Sequence, residues 1–299
     1  MKKVAIYGQS YAVHAEKEVN ILLSVLKKHS IVVFIEEKFY TLLKDSKIIS
    51  KKYPTFSEFN DLNSSFDFLF TLGGDGTILR SVTYVRDLNI PILGINTGRL
   101  GFLAVINKEE IKESIELLLA KKYTIQERSL LAVSASEKNE TIEEFPYALN
   151  EITISRKNTT SMIGVKTFLN DEYLTNFWAD GLIISTPTGS TGYSLSCNGP
   201  VILPNSKSLV ITPIAPHNLN ARPVILSDDT KIKLNVNSRE KSFLISMDSR
   251  IATVSENTEV FLEKANFTIK TILLKNQSFL QTLRDKLLWG EDTRNETNL

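Results

Sequence analysis

Residues 66–85 read FDFLFTLGGDGTILRSVTYV and join an apolar segment, a glycine-rich turn and the start of an amphipathic segment. The apolar segment, Phe66 to Leu72, lacks the alternation of a half-exposed strand, which predicts a strand buried on both faces. Gly73–Thr77 follows it directly, and apolar residues then recur at helical spacing at Ile78, Leu79, Val82 and Val85. A buried strand, a tight turn and a helix in that order predict an open α/β sheet.

The rest of the first half, up to about Lys122, repeats this alternation of strand and helix. Further apolar strands are predicted at Val4–Tyr7, Ile31–Ile35 and Ile90–Ile95. The first helix is predicted to bury Val19, Leu22, Leu23 and Leu26. The last helix is expected to start near Asn107 as its N-cap and to bury Ile111, Ile115, Leu118 and Leu119.

From Ser129 onward the helical period disappears and strand-like segments follow one another. They are Leu130–Ala135, Glu151–Ser155, Val165–Leu169, Phe177–Ser185, Leu209–Ile214, Lys231–Val236, Phe243–Met247 and Val260–Leu262. Asn170–Asp171, between two of these segments, predicts a hairpin turn. This half is therefore predicted to be all-β, with a short helix after it that carries Phe279, Leu280, Leu283 and Leu287.

The composition restricts the class of protein. Lys and Arg total 35 against 34 Asp and Glu, so a formal net charge of +1 offers no broad field for nucleic acid or an anionic membrane. The single Cys197 excludes an internal disulfide framework, and the three histidines lack zinc-like spacing, so any metal is expected to be a hard cation on oxygens. No signal segment and no apolar run of about 20 residues is present, which predicts a cytoplasmic protein.

The glycine-rich turn Gly73–Thr77 lies where an open α/β sheet binds ligands, between a strand and a helix. Glycines let the backbone approach an anion closely, and a helix N-terminus directs N–H groups at phosphate. Asp75 would disfavour phosphate unless it organised a cation or accepted a proton from an attacking hydroxyl. The alternative is a tight turn in which Asp75 caps the helix. The chain has neither a Walker loop nor a G-x-G-x-x-G fingerprint.

Two other segments carry polar groups suited to a ligand. Residues 180–194, DGLIISTPTGSTGYS, are dense in hydroxyls and glycines, which can bind sugar and phosphate oxygens without added charge. Asn150–Glu151 lies at the start of a predicted strand. Taken separately, the first segment could be a solvated loop and the second a pair of surface residues.

Together these segments resemble the NAD kinase family, whose signatures are a GGDGT loop, an Asn-Glu or Asn-Asp pair and a DG...STPTGSTxY segment. Asn96–Leu103 also resembles a family loop, and the resemblance runs from about Val4 to Trp289. Four matches in order are more specific than GGDG alone, which diacylglycerol kinases, sphingosine kinases and phosphofructokinases also carry. Arg99, in the Asn96–Leu103 loop, is a candidate phosphate contact or simply an exposed arginine.

The resemblance implies transfer of the terminal phosphoryl group of ATP to the adenosine-ribose 2′-hydroxyl of NAD, forming NADP, with Mg²⁺ or another divalent cation. It implies an N-terminal Rossmann-like open parallel α/β domain over residues 1–125, joined by the C-terminal segment 276–299. Residues 126–275 would form a C-terminal β-sandwich that binds NAD. It also implies a homodimer or homotetramer, with Asp180 reaching the nicotinamide end of NAD in a neighbouring subunit.

The resemblance further implies a set of site residues. Asp75 would be the catalytic general base beside the 2′-hydroxyl. The NAD-binding residues would be Asp75, Gly76, Phe102, Asn150, Glu151, Asp180, Thr188, Thr191, Gly192 and Tyr193. The phosphate-binding residues would be Gly73, Gly74, Gly76, Thr77 and Arg80, and the metal ligands stay unknown. Two positions depart from the family, because Gly192 stands where many relatives have alanine and Ser249 where some have histidine.

Two alternatives remain open from the sequence. A lipid kinase shares the GGDGT loop but needs an acyl-chain groove or a basic membrane-facing surface, which the charge balance does not indicate. A dinucleotide-binding sensor without catalysis would keep the glycine-rich turn but would not need Asp75.

Overall fold

The computed structural model describes residues 1–9, 15–98, 101–158, 161–275 and 277–289. The chain divides into two compact units, one formed by Met1–Glu127 with Ile269–Leu299 and the other by Arg128–Thr268. Arg99 and the ends of the predicted C-terminal segment, residues 276 and 290–299, lie outside the described residues.

The regular elements follow the chain in this order. The strands are β1 (Lys3–Gly8), β2 (Val32–Glu36), β3 (Thr55–Phe56), β4 (Phe68–Leu72), β5 (Ile92–Asn96), β6 (Ile106–Asn107), β7 (Tyr123–Ala135), β8 (Tyr147–Ala148), β9 (Glu151–Arg156), β10 (Ile163–Leu169), β11 (Glu172–Ala179), β12 (Gly181–Ser185), β13 (Ser208–Ile214), β14 (Val224–Ser227), β15 (Ile232–Ser238), β16 (Ser242–Met247), β17 (Arg250–Ser255) and β18 (Glu259–Leu274). The α-helices are α1 (Glu16–Lys28), α2 (Glu37–Asp45), α3 (Asp75–Val85), α4 (Ile111–Leu119), α5 (Glu140–Glu144), α6 (Tyr193–Ser196) and α7 (Phe279–Leu287).

The first unit is built on a parallel sheet with the strand order β5-β4-β1-β2-β3. β6 adds to β5, and the end of β18 pairs with β5 in parallel through Thr271 and Ile92. All residues of β4 and β5 are buried, as continuous apolar strands in a covered parallel sheet should be. The strands predicted in the first half are confirmed, and so is the buried face of α1.

The prediction that the last helix of the first half starts near Asn107 as its N-cap is confirmed, because Asn107 is the N-cap of a 3-10 turn that leads directly into α4. Asn107 is the last residue of β6 and pairs with Asn96 of β5, so its backbone is still extended. The 3-10 turn follows over Lys108–Glu110, and α4 begins at Ile111. The strand β6 has only two residues, too few to show a period, which is why the sequence pattern did not predict this strand. Leu119 is only half-buried, while the other three predicted core residues are buried.

The second unit contains two antiparallel sheets. One has the order β14-β13-β12-β9-β16-β17, and the other contains β11-β10-β15-β18, with β7 beside β18 and β8 beside β7. Apolar side chains of both sheets form one core, as shown by Ile154, Leu182 and Phe243 from the first sheet and Val165 and Leu234 from the second. The predicted fold class, an α/β domain followed by a β-sandwich, is therefore confirmed.

The prediction of one strand over Phe177–Ser185 is wrong, because the segment supplies β11 to one sheet and β12 to the other. The chain changes sheet at Asp180, and a Cβ on Gly181 would lie 2.4 Å from the carbonyl oxygen of Ile154 in β9. Only glycine permits this approach between neighbouring backbones. The predicted hairpin turn is confirmed, since Asn170 and Asp171 both have positive φ, 49° and 68°.

Candidate active site

The glycine-rich turn places the open N-terminus of α3 at the end of β4. Gly73 has φ of 149°, which side chains rarely allow, and its N–H donates to the Ile95 carbonyl at 3.0 Å. Apart from adjacent residues of the chain and the backbone of α3 itself, no described atom lies within 4 Å of a Cβ built on Gly74 or Gly76. Packing therefore does not require glycine at those two positions. The space beside the helix N-terminus suits an anion such as a phosphate.

Asp75 is the first residue of α3, and its carboxylate holds a neighbouring loop. Oδ2 accepts the Phe102 N–H at 2.8 Å, and Oδ1 accepts the N–H groups of Leu103 and Ala104 at 3.0 and 2.9 Å. A Cβ on Gly101 would lie 1.9 Å from Asp75 Oδ1, so the loop approaches the carboxylate too closely for any side chain there. Three of the four lone-pair positions of the carboxylate are thus occupied, and one on Oδ2 remains for a hydroxyl.

The other predicted residues of the first unit differ in exposure. Thr77 is fully buried, and its N–H donates to the Gly74 carbonyl at 2.9 Å. Arg80 is exposed, one turn along α3. Phe102 is half-buried, and its ring centroid lies 6.2 Å from that of Phe279 in α7. Hence the structure gives Thr77 a buried position in the turn and leaves Arg80 accessible.

In the second unit, Asn150–Glu151 lies against the hydroxyl-rich segment. The Thr186 N–H donates to the Asn150 carbonyl at 2.9 Å. A Cβ on Gly189 would lie 2.1 Å from that same carbonyl oxygen, and one on Gly192 would lie 2.9 Å from Glu151 Oε2. The two glycines therefore allow this close packing, which brings together the second and third motifs.

Several hydroxyls of this segment stabilise the segment itself. Thr186 Oγ1 donates to the Leu149 carbonyl at 2.6 Å, and Ser190 Oγ donates to the Pro187 carbonyl at 2.7 Å. Thr186 and Ser190 are both fully buried. The expectation that this run offers its hydroxyls to a ligand is wrong for these two, because they satisfy backbone carbonyls instead.

Thr188 and Thr191 are joined by their own contacts. Thr191 Oγ1 donates to the Thr188 carbonyl at 3.2 Å, and Thr188 Oγ1 accepts a bond from Arg128 Nη1 at 3.3 Å. Arg128 is buried. The polar sequence around it, just before the second half, did not indicate this burial. Tyr193 is 46% exposed, so its ring is available to a ligand.

Asp180 lies at the change of sheet between β11 and β12. Its Oδ2 is 2.8 Å from Nη2 of Arg156, and both side chains are partly exposed. The structure therefore places Asp180 in an ion pair within its own chain.

Asn150 and Glu151 each have a buried side-chain oxygen without a hydrogen-bond partner among the described residues. These atoms are Asn150 Oδ1 and Glu151 Oε2. Buried polar atoms normally have a hydrogen-bond partner. Two neighbouring buried oxygens without one, at the beginning of β9, therefore indicate a place for a ligand. Burial, followed by the nearby Asp248 carboxylate, raises the pKa of Glu151 to about 8, while the Tyr193 N–H opposes the shift.

Asp248, to which the sequence pattern assigns no role, lies in the turn between β16 and β17 and accepts the N–H groups of residues 149–151. Burial of its carboxylate raises its pKa, and those three donors and Arg250 oppose the rise. Burial raises the pKa of both carboxyls, and because they lie close together they titrate as a coupled pair.

Two family models match the chain in sequence order. The ATP-NAD kinase N-terminal domain matches residues 4–123, and the ATP-NAD kinase C-terminal domain matches residues 149–274. The chain belongs to the NAD kinase family. Membership in this family favours a phosphotransferase that acts on NAD over a lipid kinase or a non-catalytic sensor.

Relatives and solved structures agree with the NAD kinase assignment. An NAD kinase of Christiangramia forsetii is 57% identical over 293 residues, which cover 98% of this chain and 100% of that protein. An NAD kinase of Bacteroides fragilis is 42% identical and covers 98% of this chain and 99% of that protein. The NAD kinase of Archaeoglobus fulgidus in complex with ATP has a TM-score of 0.70 at 25% identity, covering 96% of this chain and 99% of that chain. Yeast NADH kinase complexed with NADH has a TM-score of 0.85 at 21% identity, covering 99% of this chain and 89% of that chain. This likeness shows the fold alone.

Neither a metal-binding cluster nor a membrane-spanning helix occurs in the part of the chain that the structure describes. Within the described ranges, no three His, Cys, Asp or Glu side chains group in a way that could hold a metal ion. In the same ranges no helix combines the length and apolarity needed to cross a membrane.

Proposed function

We propose that this NAD kinase transfers the γ-phosphoryl group of ATP to the 2′-hydroxyl of the adenosine ribose of NAD. The observation that carries the proposal is the open glycine-rich turn, where an unobstructed helix N-terminus adjoins a carboxylate with one remaining lone-pair position. Phosphoryl transfer depends mainly on positioning and charge stabilisation, which such a turn supplies.

In the proposed mechanism the first unit handles phosphate and the proton. The phosphate site is formed by Gly73, Gly74, Gly76 and Thr77. The N–H groups of Gly74, Asp75 and Gly76 bind phosphate oxygens, because those of Gly73 and Thr77 donate to the Ile95 and Gly74 carbonyls. Arg80 adds a positive charge from the exposed face of α3. Asp75 accepts the proton of the attacking 2′-hydroxyl through Oδ2. Its bonds to residues 102–104 keep the carboxylate in one orientation, which supports this role.

The second unit is proposed to bind NAD. Asn150 and Glu151 hold ribose hydroxyls through their unpaired oxygens, and Tyr193 offers an exposed ring. The remaining proposed NAD contacts are Gly76, Phe102, Thr188, Thr191, Gly192 and Asp180. Asp180 would act from a neighbouring subunit of a homodimer or homotetramer, which requires that it exchange its ion pair with Arg156 for the ligand.

A divalent cation such as Mg²⁺ is proposed to accompany ATP. Mg²⁺ commonly uses one or two carboxylates together with substrate phosphates and water, so a cluster of acids is not needed. Because no group of three acids or imidazoles lies together within the described ranges, the triphosphate would supply most of the ligands of the ion. The ion would neutralise charge on the transferred group. A cytoplasmic location stays a prediction from the sequence.

The decisive experiment is incubation of the purified chain with ATP, Mg²⁺ and NAD, with NADP measured by a coupled dehydrogenase. Parallel reactions replace NAD with diacylglycerol or omit Mg²⁺. We expect NADP from NAD, no phosphorylated lipid, and little product without the cation. Phosphorylation of the lipid alone, or no product from either acceptor, would refute the proposed function.

A further inference from the structure

The turn between β16 and β17 carries an acid that reaches back to the beginning of β9. Asp248 Oδ2 accepts the Leu149 N–H at 2.9 Å, and Oδ1 accepts the N–H groups of Asn150 and Glu151 at 2.9 and 3.2 Å. The Asp248 N–H donates in turn to the Glu151 carbonyl at 3.1 Å. One residue therefore holds three consecutive backbone units at four points.

Sheet pairing alone does not hold this segment. Glu151 is the first residue of β9 and pairs with Ser185, whereas Leu149 and Asn150 precede the strand. A carboxylate that accepts several backbone N–H groups forms charge-assisted bonds, which are stronger than bonds between neutral groups. The backbone of Asp248 has φ of 51°, which is strained for a residue with a side chain. The four hydrogen bonds of Asp248 compensate for this strain.

We propose that Asp248 is a positioning residue for NAD. Its carboxylate orients the backbone at Leu149–Glu151 so that the unpaired oxygens of Asn150 and Glu151 meet the sugar hydroxyls of the dinucleotide. The inference deepens the proposed function and rests on it. Asp248 acts through its neighbours and does not itself contact the ligand.

The test compares Asp248→Asn and Asp248→Ala with the matched control Asp171→Asn. Asp171 is also an aspartate with positive φ in a hairpin turn, but it is exposed and lies in the turn between β10 and β11. We expect the KM for NAD to rise about tenfold in Asp248→Asn, the usual consequence of losing charged hydrogen bonds, and further in Asp248→Ala. The KM for ATP should change less than about twofold, and kcat should fall less than the KM for NAD rises.

A purely structural role would give a different result. Loss of folded protein lowers the maximal rate in proportion and leaves the KM for NAD unchanged, and that outcome overturns the proposal. A rise in the KM for NAD in the control variant would overturn it as well.

Amide hydrogen exchange separates this inference from the proposed function. In Asp248→Asn, the amides of residues 149–151 should exchange at least about tenfold faster while the amides of β12 keep their protection. If the wild-type chain formed no NADP, the proposed function would fail, and NAD titration by calorimetry would replace the KM. Unchanged exchange at residues 149–151, or unchanged NAD affinity, would overturn the positioning role.

Discussion

At the scale of a single residue, the Asp75 carboxylate orients the backbone of residues 102–104. Its proposed second task is to accept a hydroxyl proton at the remaining lone-pair position on Oδ2. The sequence alternatives were a helix cap or a base; the N-cap of α3 is Gly74, and the Asp75 carboxylate accepts N–H groups of residues 102–104 in another segment. A carboxylate fixed by three donors is well oriented, and orientation is what phosphoryl transfer demands.

The first prediction concerns Asp75→Asn. General-base assistance contributes about 10²- to 10⁴-fold, so we expect kcat to fall by that factor, roughly 2.7 to 5.5 kcal/mol in the barrier. NAD should still bind, because Asn150 and Glu151 are unchanged, but up to about tenfold more weakly, because the charged bonds that hold the loop of Phe102 are weakened. Steady-state NADP formation and calorimetry measure the two quantities. Exposed Asp87→Asn is the control, and near-normal turnover of a folded Asp75→Asn would exclude Asp75 as the base.

The second prediction concerns Gly101→Ala. The new Cβ would lie 1.9 Å from Asp75 Oδ1, so the carboxylate or the loop must move. We expect kcat to fall at least about tenfold, since a displacement of about 1 Å in a reacting group is costly. In the control Gly98→Ala the nearest described atom is Asn96 Oδ1 at 3.9 Å, which is an ordinary contact. Equal activity of the two variants would show that the Gly101–Asp75 approach is unimportant.

At the scale of elements, the change of sheet between β11 and β12 depends on the backbone approach at Gly181. The flanking strands contain similar apolar residues, and neither Pro nor a polar run separates them. Asp180 and Gly181 together therefore decide where the chain leaves one sheet for the other.

The third prediction follows for Gly181→Ala. A Cβ 2.4 Å from the Ile154 carbonyl oxygen must displace backbone, and overpacking of this kind costs about 1 to 3 kcal/mol. We expect the free energy of unfolding in urea to fall by that amount. Gly164→Ala, in β10, is the control, because its Cβ would meet side-chain atoms, the Asn176 amide at 3.3 Å and the Trp178 ring at 3.5 Å, and not a backbone carbonyl. A larger loss in the control than in Gly181→Ala would contradict the argument.

At the scale of the whole molecule, the Glu151 carboxyl links stability to pH. Its pKa is about 8 in the folded chain against 4.5 ordinarily, so between these pH values the folded state binds more protons than the unfolded state. Stability from this group is therefore greatest below pH 4.5 and is lost as the pH rises toward 8, by up to about 1.4 kcal/mol per pH unit.

The fourth prediction is that Glu151→Gln removes this slope. The Gln amide resembles the protonated acid but does not titrate. The stability of the Glu151→Gln variant relative to wild type should therefore increase from pH 5 to pH 8. Urea unfolding at pH 5, 6.5 and 8 measures the difference. Exposed Glu172→Gln serves as the control, and a constant difference between Glu151→Gln and wild type across this range would contradict the linkage.

Local patterns were sufficient for much of this protein. The continuous apolar strands, the helical spacing after Gly76 and the Asn170–Asp171 turn predicted the right elements, because each depends on neighbours in sequence. The phosphate site at the GGDGT segment rests on a local feature as well, a turn between a strand and a helix, and stays a prediction.

The tertiary structure alone decided the long-range contacts. The bonds from residues 102–104 to Asp75 join residues more than 25 positions apart, and those from residues 149–151 to Asp248 join residues almost 100 apart. Neither leaves a periodic signal, because a side chain that accepts backbone N–H groups constrains no residue type in its partner. The same holds for the change of sheet at Gly181, where a distant carbonyl oxygen, and not the neighbouring sequence, requires glycine.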